Sequence, residues 1–278
     1  MEPSRGRIAV GAGALLVVVG GVHAQQAVQW SAKAGGNGHW YLGVAVQQDI
    51  RWSDAQGAAA AAGGHLATIT SAAEDDFVWS IASQTELWTV VTQPAWNGAK
   101  GPWLGLRQAP GNSVPWQGWA WVTGEPFEFA AWSGGEPNDG CSPDDEDALN
   151  YLGPTPSFRR WNDFPGEVAC GGWGPPRSYI VEWSADCNND GIVDFGQIRT
   201  GELADANGNN IPDCCESGTT CNCPADIARD GVVNGVDLAA VLNSWGSPGG
   251  TFDADVNGDG LVNGADLAEV LNSWGPCP

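Results

Sequence analysis

"GGEPNDGCSPDDEDALN", residues 134–150, sets the terms on which this chain folds. Behind Glu136-Pro137-Asn138 stand Asp139, Asp144, Asp145, Glu146 and Asp147, and no Lys or Arg lies in the stretch. A second polar knot, Trp161-Asn162-Asp163, follows shortly after. Carboxylates held this close repel and raise one another's pKa unless something positive sits among them. A fold that accommodates the stretch needs a cation.

Helix-like and strand-like segments flank it. Upstream, "GHWYLGVAV" (38–46) reads as a strand and "SDAQGAAAAAGG" (53–64) as a helix, with Ser53 or Asp54 as cap, alanines filling the turns and Gly63-Gly64 as the stop. "HLATI" (65–69) is a short extended segment. "SAAEDDFVWSIAS" (71–83) is a second helix, with Ser71 as N-cap and Glu74 at the capping-box position. "WLGLRQ" (103–108) is a strand, and "SYIVEW" (178–183) closes the region as another. Two early helices with strands on both sides predict an α+β fold.

Arg5 and Arg7 precede an apolar run from Ile8 to Val22, and Val22-His23-Ala24 offers small residues for cleavage. Residues 1–24 therefore read as a secretory signal peptide. The run is short and broken by glycines, a poor membrane anchor, and no later segment is apolar enough to span a bilayer. The mature chain is expected to be secreted, extracellular or associated with a cell surface, without a membrane span. A formal net charge of -22 opposes nucleic acid and anionic membranes, which call for Lys and Arg. The 16 tryptophans separate the chain from acidic disordered sequences and require a packed interior or a binding surface. The 8 cysteines favour disulfides over zinc, since neither His39 nor His65 lies near them and no paired C-x-x-C spacing occurs.

"NGHWY" (37–41), "WSDAQ" (52–56), "GGHLATI" (63–69), "AEDDFVWS" (73–80), "WLGL" (103–106), "WAWVTGEPFEFAAWSGGEPND" (119–139) and "WND" (161–163) follow one another in the order of a C-type lectin-like domain, which residues 28–184 resemble. The resemblance implies a principal calcium site at Glu136, Asn138, Glu146, Asn162 and Asp163, with a cis Glu136-Pro137 bond turning its neighbours toward one ion. Calcium takes six to eight oxygens, and three acids with two amides, a charge of about -3, hold it without closing its shell. Glu136, Asn138, Glu146 and Asn162 would also bind carbohydrate. Vicinal sugar hydroxyls reach the ion, donate to the glutamates and accept from the asparagine amides. The order Glu-Pro-Asn resembles the mannose-type pattern and implies a glycan with equatorial vicinal hydroxyls. Trp132, Trp161 and Trp173 are candidates for stacking on sugar or for the core, with Trp173 the better placed for sugar. Asp144, Asp145 and Asp147 offer an accessory calcium site or a solvated acidic loop. The chain departs from the family at its disulfides: Ala58 and Val181 hold the outer positions, and Ala148 and Gly166 lie near the inner ones. Cys141 and Cys170 flank the same loop and are expected to replace the inner bridge.

Composition shifts near residue 185. "DANGNNIPDCCE" (205–216) places Asp205, Asn207, Asn209, Asp213 and Glu216 at the ligand positions of an EF-hand-like loop, with Asn210 where glycine usually turns the chain. "DCNNDGIVDFGQ" (186–197) offers Asp186, Asn188, Asp190 and Asp194, with Gln197 a poor twelfth ligand. These units in residues 185–222 resemble thrombospondin type-three-like calcium repeats; a polar linker is the alternative. "GVDLAAVLNSWG" (235–246) then returns as "GADLAEVLNSWG" (264–275), and residues 223–278 resemble a dockerin type I domain, EF-hand-like with two helices. Its loop 255–266 is complete, with Asp255, Asn257, Asp259, Asn263 and Asp266; loop 226–237 keeps Asp226, Asp230, Asn234 and Asp237 but has Ala228 at its third position. Cys223 and Cys277 bracket the unit as a candidate clip. Gly235-Val236 and Gly264-Ala265 stand where Ser or Thr pairs often read a cohesin, so a cohesin-like partner and another surface partner both stay open.

Three functions compete. The first is a non-enzymatic calcium-dependent lectin tethered by its tail. The second is a structural or adhesion protein whose lectin-like domain binds proteins. The third, a polysaccharide hydrolase, would need two carboxyls facing across a cleft, whereas these acids form one dense cluster.

Overall fold

The computed structural model describes residues 26–93, 96–112, 114–141, 146–156, 158–218, 221, 223–228, 232–248 and 254–276. The expected signal peptide, Asp144, Asp145, Asp230 and Cys277 lie outside the described residues. The first unit runs β1 (Val28–Gln29), β2 (Trp40–Ala45), α1 (Trp52–Ala61), β3 (His65–Leu66), α2 (Ala72–Ala82), β4 (Thr89–Gln93), β5 (Trp96–Gln108), β6 (Trp119–Trp121), β7 (Ala148–Gly153), β8 (Trp161–Phe164) and β9 (Ser178–Trp183). After it come α3 (Asp194–Thr200), α4 (Asp213–Ser217), β10 (Val232–Val233), α5 (Gly235–Asn243), α6 (Gly264–Asn272) and β11 (Gly275–Pro276).

The sheet order is β1-β2-β9-β5-β7-β8, with β3 on β9 and with β4 and β6 on β5. β2 and β9 pair antiparallel from Trp40 opposite Trp183 to Ala45 opposite Ser178, so the two ends of the unit close on each other. This is the α+β arrangement that the resemblance implied: terminal strands joined, two helices after the first of them, and a long loop between β6 and β7.

The expected helices form, with two changes of detail. α1 starts at Trp52, and neither Ser53 nor Asp54 caps it; the N-cap is Arg51, which makes no side-chain cap hydrogen bond. A tertiary bond from Trp52 N to Gly166 O, 2.8 Å, fixes the start. On α2, Ser71 caps as expected and accepts from Glu74 N. The Glu74 carboxylate does not close a capping box on Ser71. It accepts from Thr70 N and Thr70 Oγ1 on one oxygen, and from Asn37 Nδ2 and Tyr41 Oη on the other.

Two apolar clusters fill the first unit. Trp161 is at the heart of one, met edge-on by Trp121, Phe129 and Trp132. Trp52, Trp103, Phe164 and Tyr179 build the other, which also holds Val181 and Ala58. Apolar packing thus stands where an outer disulfide would. A Cβ on Gly166 would sit 3.2 Å from the Ala148 Cβ, so the inner positions are neighbours without sulfur. Cys141–Cys170 bridges the same loop, with Cα atoms 5.6 Å apart. A third cluster joins α5 and α6 through Val233, Val241, Val262 and Val270, while Leu242 and Leu271 face outward.

Between β2, α2 and β9 lies a buried polar network. Tyr41 Oη donates toward Glu74 and Glu182, Thr68 N donates to Glu182, and His39 Nδ1 lies 2.6 Å from Glu182 Oε1. Burial alone would lower the pKa of His39, but the hydrogen bond and charge of Glu182 outweigh it and raise the pKa above 6.5. The stability this contributes is full below the unfolded value and is lost as pH rises through the raised folded value. An NMR titration of His39 should give a midpoint above 6.5, and Glu182→Gln should bring it down. Replacing Cys141 and Cys170 together by serine should cost about 3 kcal/mol in urea unfolding while leaving the sheet intact.

Candidate functional site

The long loop returns to the sheet beside β8. Ser133 N donates to Trp161 O and Trp161 N to Ala131 O, which sets the next residues against the strand carrying Asn162 and Asp163. The Glu136-Pro137 bond is cis, as the resemblance implied. Asp163 Oδ2 accepts from the backbone N–H of Asn138 and of Asp139, each at 2.9 Å. Glu146 closes the circuit: its carboxylate accepts from Gly140 N, and its N–H donates to Asp139 Oδ1 at 3.1 Å. Asn162 turns partly into the sheet, its Nδ2 donating to Asp163 O and lying 3.5 Å from Asn150 Oδ1. Loop and strand thus bring Glu136, Asn138, Glu146 and Asp163 together, with Asn162 at their edge.

These carboxylates are short of partners. Glu136 Oε2 and Asp163 Oδ1 are buried without a hydrogen bond. Among the described residues no Lys or Arg forms an ion pair with Glu136, Glu146 or Asp163. Burial, then the hydrogen bond and charge of Asp163, push Glu136 up to about 7. Burial, then the Asp163 charge, push Glu146 up to about 8. Burial also raises Asp163, against the N–H groups that hold it down. Buried polar atoms in folded proteins have partners, and a buried charge without one is costly. An all-oxygen donor set with two orphaned oxygens fits a hard divalent cation.

Asp147 stands apart from this site. Arg107 of β5 holds it at 2.7 Å, and its other oxygen accepts from Gly166 N. The neutralising charge comes from 40 residues upstream, outside the stretch where a cation was sought. Asp139 belongs with the site residues although the resemblance does not name it: its φ is 53°, and its Oδ1 accepts from Glu146 N. Trp161 is fully buried, Trp132 packs on it, and Trp173 is half-buried against the second cluster. Trp161 is therefore core and unavailable to a sugar.

In the tail, Asp205, Asn207, Asn209, Asp213 and Glu216 do converge. Asp205 takes the N–H groups of Gly208, Asn209 and Asn210, and Glu216 takes the side-chain amides of Asn207 and Asn209. Asn210 adopts φ 63°, the left-handed turn expected of it. Asp213 accepts from Ala206 N. In the second repeat loop, Asp255, Asn257 and Asp259 turn inward onto backbone N–H groups. Asn234 and Asn263 cap α5 and α6, and Asp237 and Asp266 complete their capping boxes. The asparagine oxygens thus serve the helix ends. Val236, Trp245 and Trp274 are exposed.

Cys187 pairs with Cys215 and Cys214 with Cys221; Cys223 is also disulfide-bonded. Its expected partner, Cys277, is outside the described residues. No helix among the described residues is long and apolar enough to cross a membrane.

Residues 224–273 match the family model of the Dockerin type I domain. No curated relative matches the chain. Among solved structures, the chain is similar to the cow C-type carbohydrate-recognition domain of CD23, crystallised with a GlcNAc2Man3 oligosaccharide: 21% identity, 60% of this chain and 98% of that one, TM-score 0.39. It is also similar to the mouse scavenger receptor C-type lectin carbohydrate-recognition domain, at 16% identity over 60% and 100% of the two chains, TM-score 0.40. Human lithostathine follows at 17% identity over 60% and 92%, TM-score 0.40. The chain joins an α+β unit similar to C-type lectin-like domains to a C-terminal segment, residues 224–273, that matches the Dockerin type I domain.

Proposed function

We propose that the protein is a secreted, non-enzymatic, calcium-dependent lectin whose dockerin-like tail attaches it to a cohesin-like or surface partner. In this reading Glu136, Asn138, Glu146, Asn162 and Asp163 hold calcium, and the first four also meet a glycan with mannose-type vicinal hydroxyls. The observation that carries it is the pair of orphaned, buried oxygens on Glu136 and Asp163, beside a carboxylate, Glu146, raised to about 8. A sugar needs hydroxyl acceptors and amide donors around one ion, and this mixed set supplies both. Loops 205–216, 226–237 and 255–266 are assigned further calcium ions, with weaker affinity in the second, where Ala228 replaces a ligand. Export follows from residues 1–24 as read from sequence.

The full mature chain should be retained on immobilised mannan in calcium, released by EDTA and competed by free mannose. Retention that persists in EDTA would sink the ion-bridged mechanism. Calcium binding without mannan retention would favour the protein-contact reading.

Acid should weaken the calcium site, because protons and the ion compete for the same oxygens. Without the ion the slope reverses. Glu136 and Glu146 titrate near 7 and 8 in the folded chain against an ordinary 4.5, so between these values the folded state binds more protons than the unfolded. Stability in EDTA should therefore fall as pH rises from about 5 to about 8. Glu146→Gln should remove part of that slope, which melting curves at several pH values would show.

A further inference from the structure

The strand register sets two loops at one end of the sheet. Arg107 of β5 faces Ala148 of β7, and Ala148 faces Phe164 of β8, so β5 ends where β7 begins and close to Asp163. Across its other edge, Gln108 of β5 faces Trp119 of β6. The loop between β5 and β6, residues 109–118, therefore leaves the sheet at the same end as the acidic site. Both arms of the acidic loop touch its base. Gln108 N donates to Asp147 O at 2.8 Å, at the residue next to Glu146. The ring of Trp119 lies 5.0 Å from that of Trp132, one turn of chain before Glu136.

The loop 109–118 is held from inside. Gln108 is 3% exposed, and its side-chain amide donates to Val114 O at 2.9 Å and to Gln117 O at 2.8 Å. Trp119 Nε1 donates to Pro115 O at 2.7 Å. Val114 N donates to Asn112 Oδ1, and Gly118, at φ 75°, leaves no room for a Cβ beside the Asn112 side chain. Buried donors thus pin the carbonyls on either side of Trp116, which is itself 71% exposed. Among the described residues of the loop it is the only large apolar side chain so exposed. A stable protein contact needs on the order of 800 Å² per partner, which a lone ring beside the exposed Gly111, Gln117 and Gly118 does not approach. One flat ring suits one small, ring-shaped ligand.

We propose that Trp116 is the floor of a second sugar subsite, stacking on a residue farther along the glycan than the one held at Glu136, Asn138, Glu146 and Asn162. The inference rests on the lectin reading and deepens it: the ligand is a chain of sugars, not a single one. Adjacent strands lie about 4.8 Å apart, so β5 and β8, with β7 between them, are separated by about 10 Å, the span of a di- or trisaccharide. The C–H groups on one face of a pyranose meet the electron-rich face of an indole, a contact that needs no charge. The acidic surroundings do not oppose it, because the sugar is neutral. A ring fixed in advance loses little freedom when the ligand arrives.

The test is calorimetry on the full mature chain in saturating calcium, with mannose against mannotriose and N-acetylglucosamine against chitotriose. The readout is the ratio of trimer to monosaccharide affinity. In at least one pair the parent should favour the trimer, and Trp116→Ala should lower that ratio roughly fivefold. Trp116→Phe, which keeps a flat ring, should retain most of it. An equal ratio in the parent and Trp116→Ala overturns the subsite and leaves the lectin reading standing. If Trp116→Ala alters the sedimentation of the free chain and leaves the ratio unchanged, the ring serves contact between copies, and the subsite falls. A parent that binds calcium but none of the four saccharides overturns both readings.

Discussion

The antiparallel pairing of β2 with β9 is the constraint on which the first unit rests. It joins residues more than 130 positions apart, from Trp40 with Trp183 to Ala45 with Ser178. Closing so long a loop is entropically unfavourable, and the two apolar clusters on either side of the sheet offset it. Once the ends are joined, β5 lies next to β9 and carries β7, and β7 carries β8. The acidic loop is therefore held on a scaffold whose stability is generated elsewhere. That separation lets Glu136, Glu146 and Asp163 remain electrostatically unfavourable without unfolding the chain.

Two kinds of buried carboxylate occur in the molecule, and partners decide which is which. Glu74 and Glu182 are almost fully buried, yet hydroxyl, amide and imidazole groups reach them, and they knit β2, α2 and β9 together. Glu136, Asp163 and Asp194 retain buried oxygens to which no amide, hydroxyl or cationic group donates. Burial by itself therefore says little. The accounting of donors separates carboxylates that hold the fold from carboxylates left to hold something else.

Local chemistry was legible in the sequence where it decides locally. Ser71 caps α2, and Gly63 turns the chain after α1 at φ 74°; the repeated Asn-Gly-x-Asp, read as calcium ligands, also caps α5 and α6. The loop acids could be found from composition, because so many carboxylates without a base demand an explanation. Tertiary partners were not legible. The start of α1 depends on Gly166, more than a hundred residues away, and Asp147 is neutralised by an arginine from another strand. Glu74 looked like a capping residue because its spacing was right, but a tyrosine and an asparagine from the β2 side compete for it and win. The seating of α3 on Trp183 was equally hidden, since Phe195 sits in a stretch whose composition speaks only of polar loops.

Ala58 and Val181 pack in one apolar cluster where sulfur would otherwise span from helix to closing strand. The covalent bonds of the chain are consequently displaced toward its later half, since every cysteine lies at or beyond Cys141. Closure of the sheet and oxidation are thereby uncoupled. A thiol reductant can open the long loop and the segment after it, but it finds no bond to cut in the joint that holds the two ends of the sheet together.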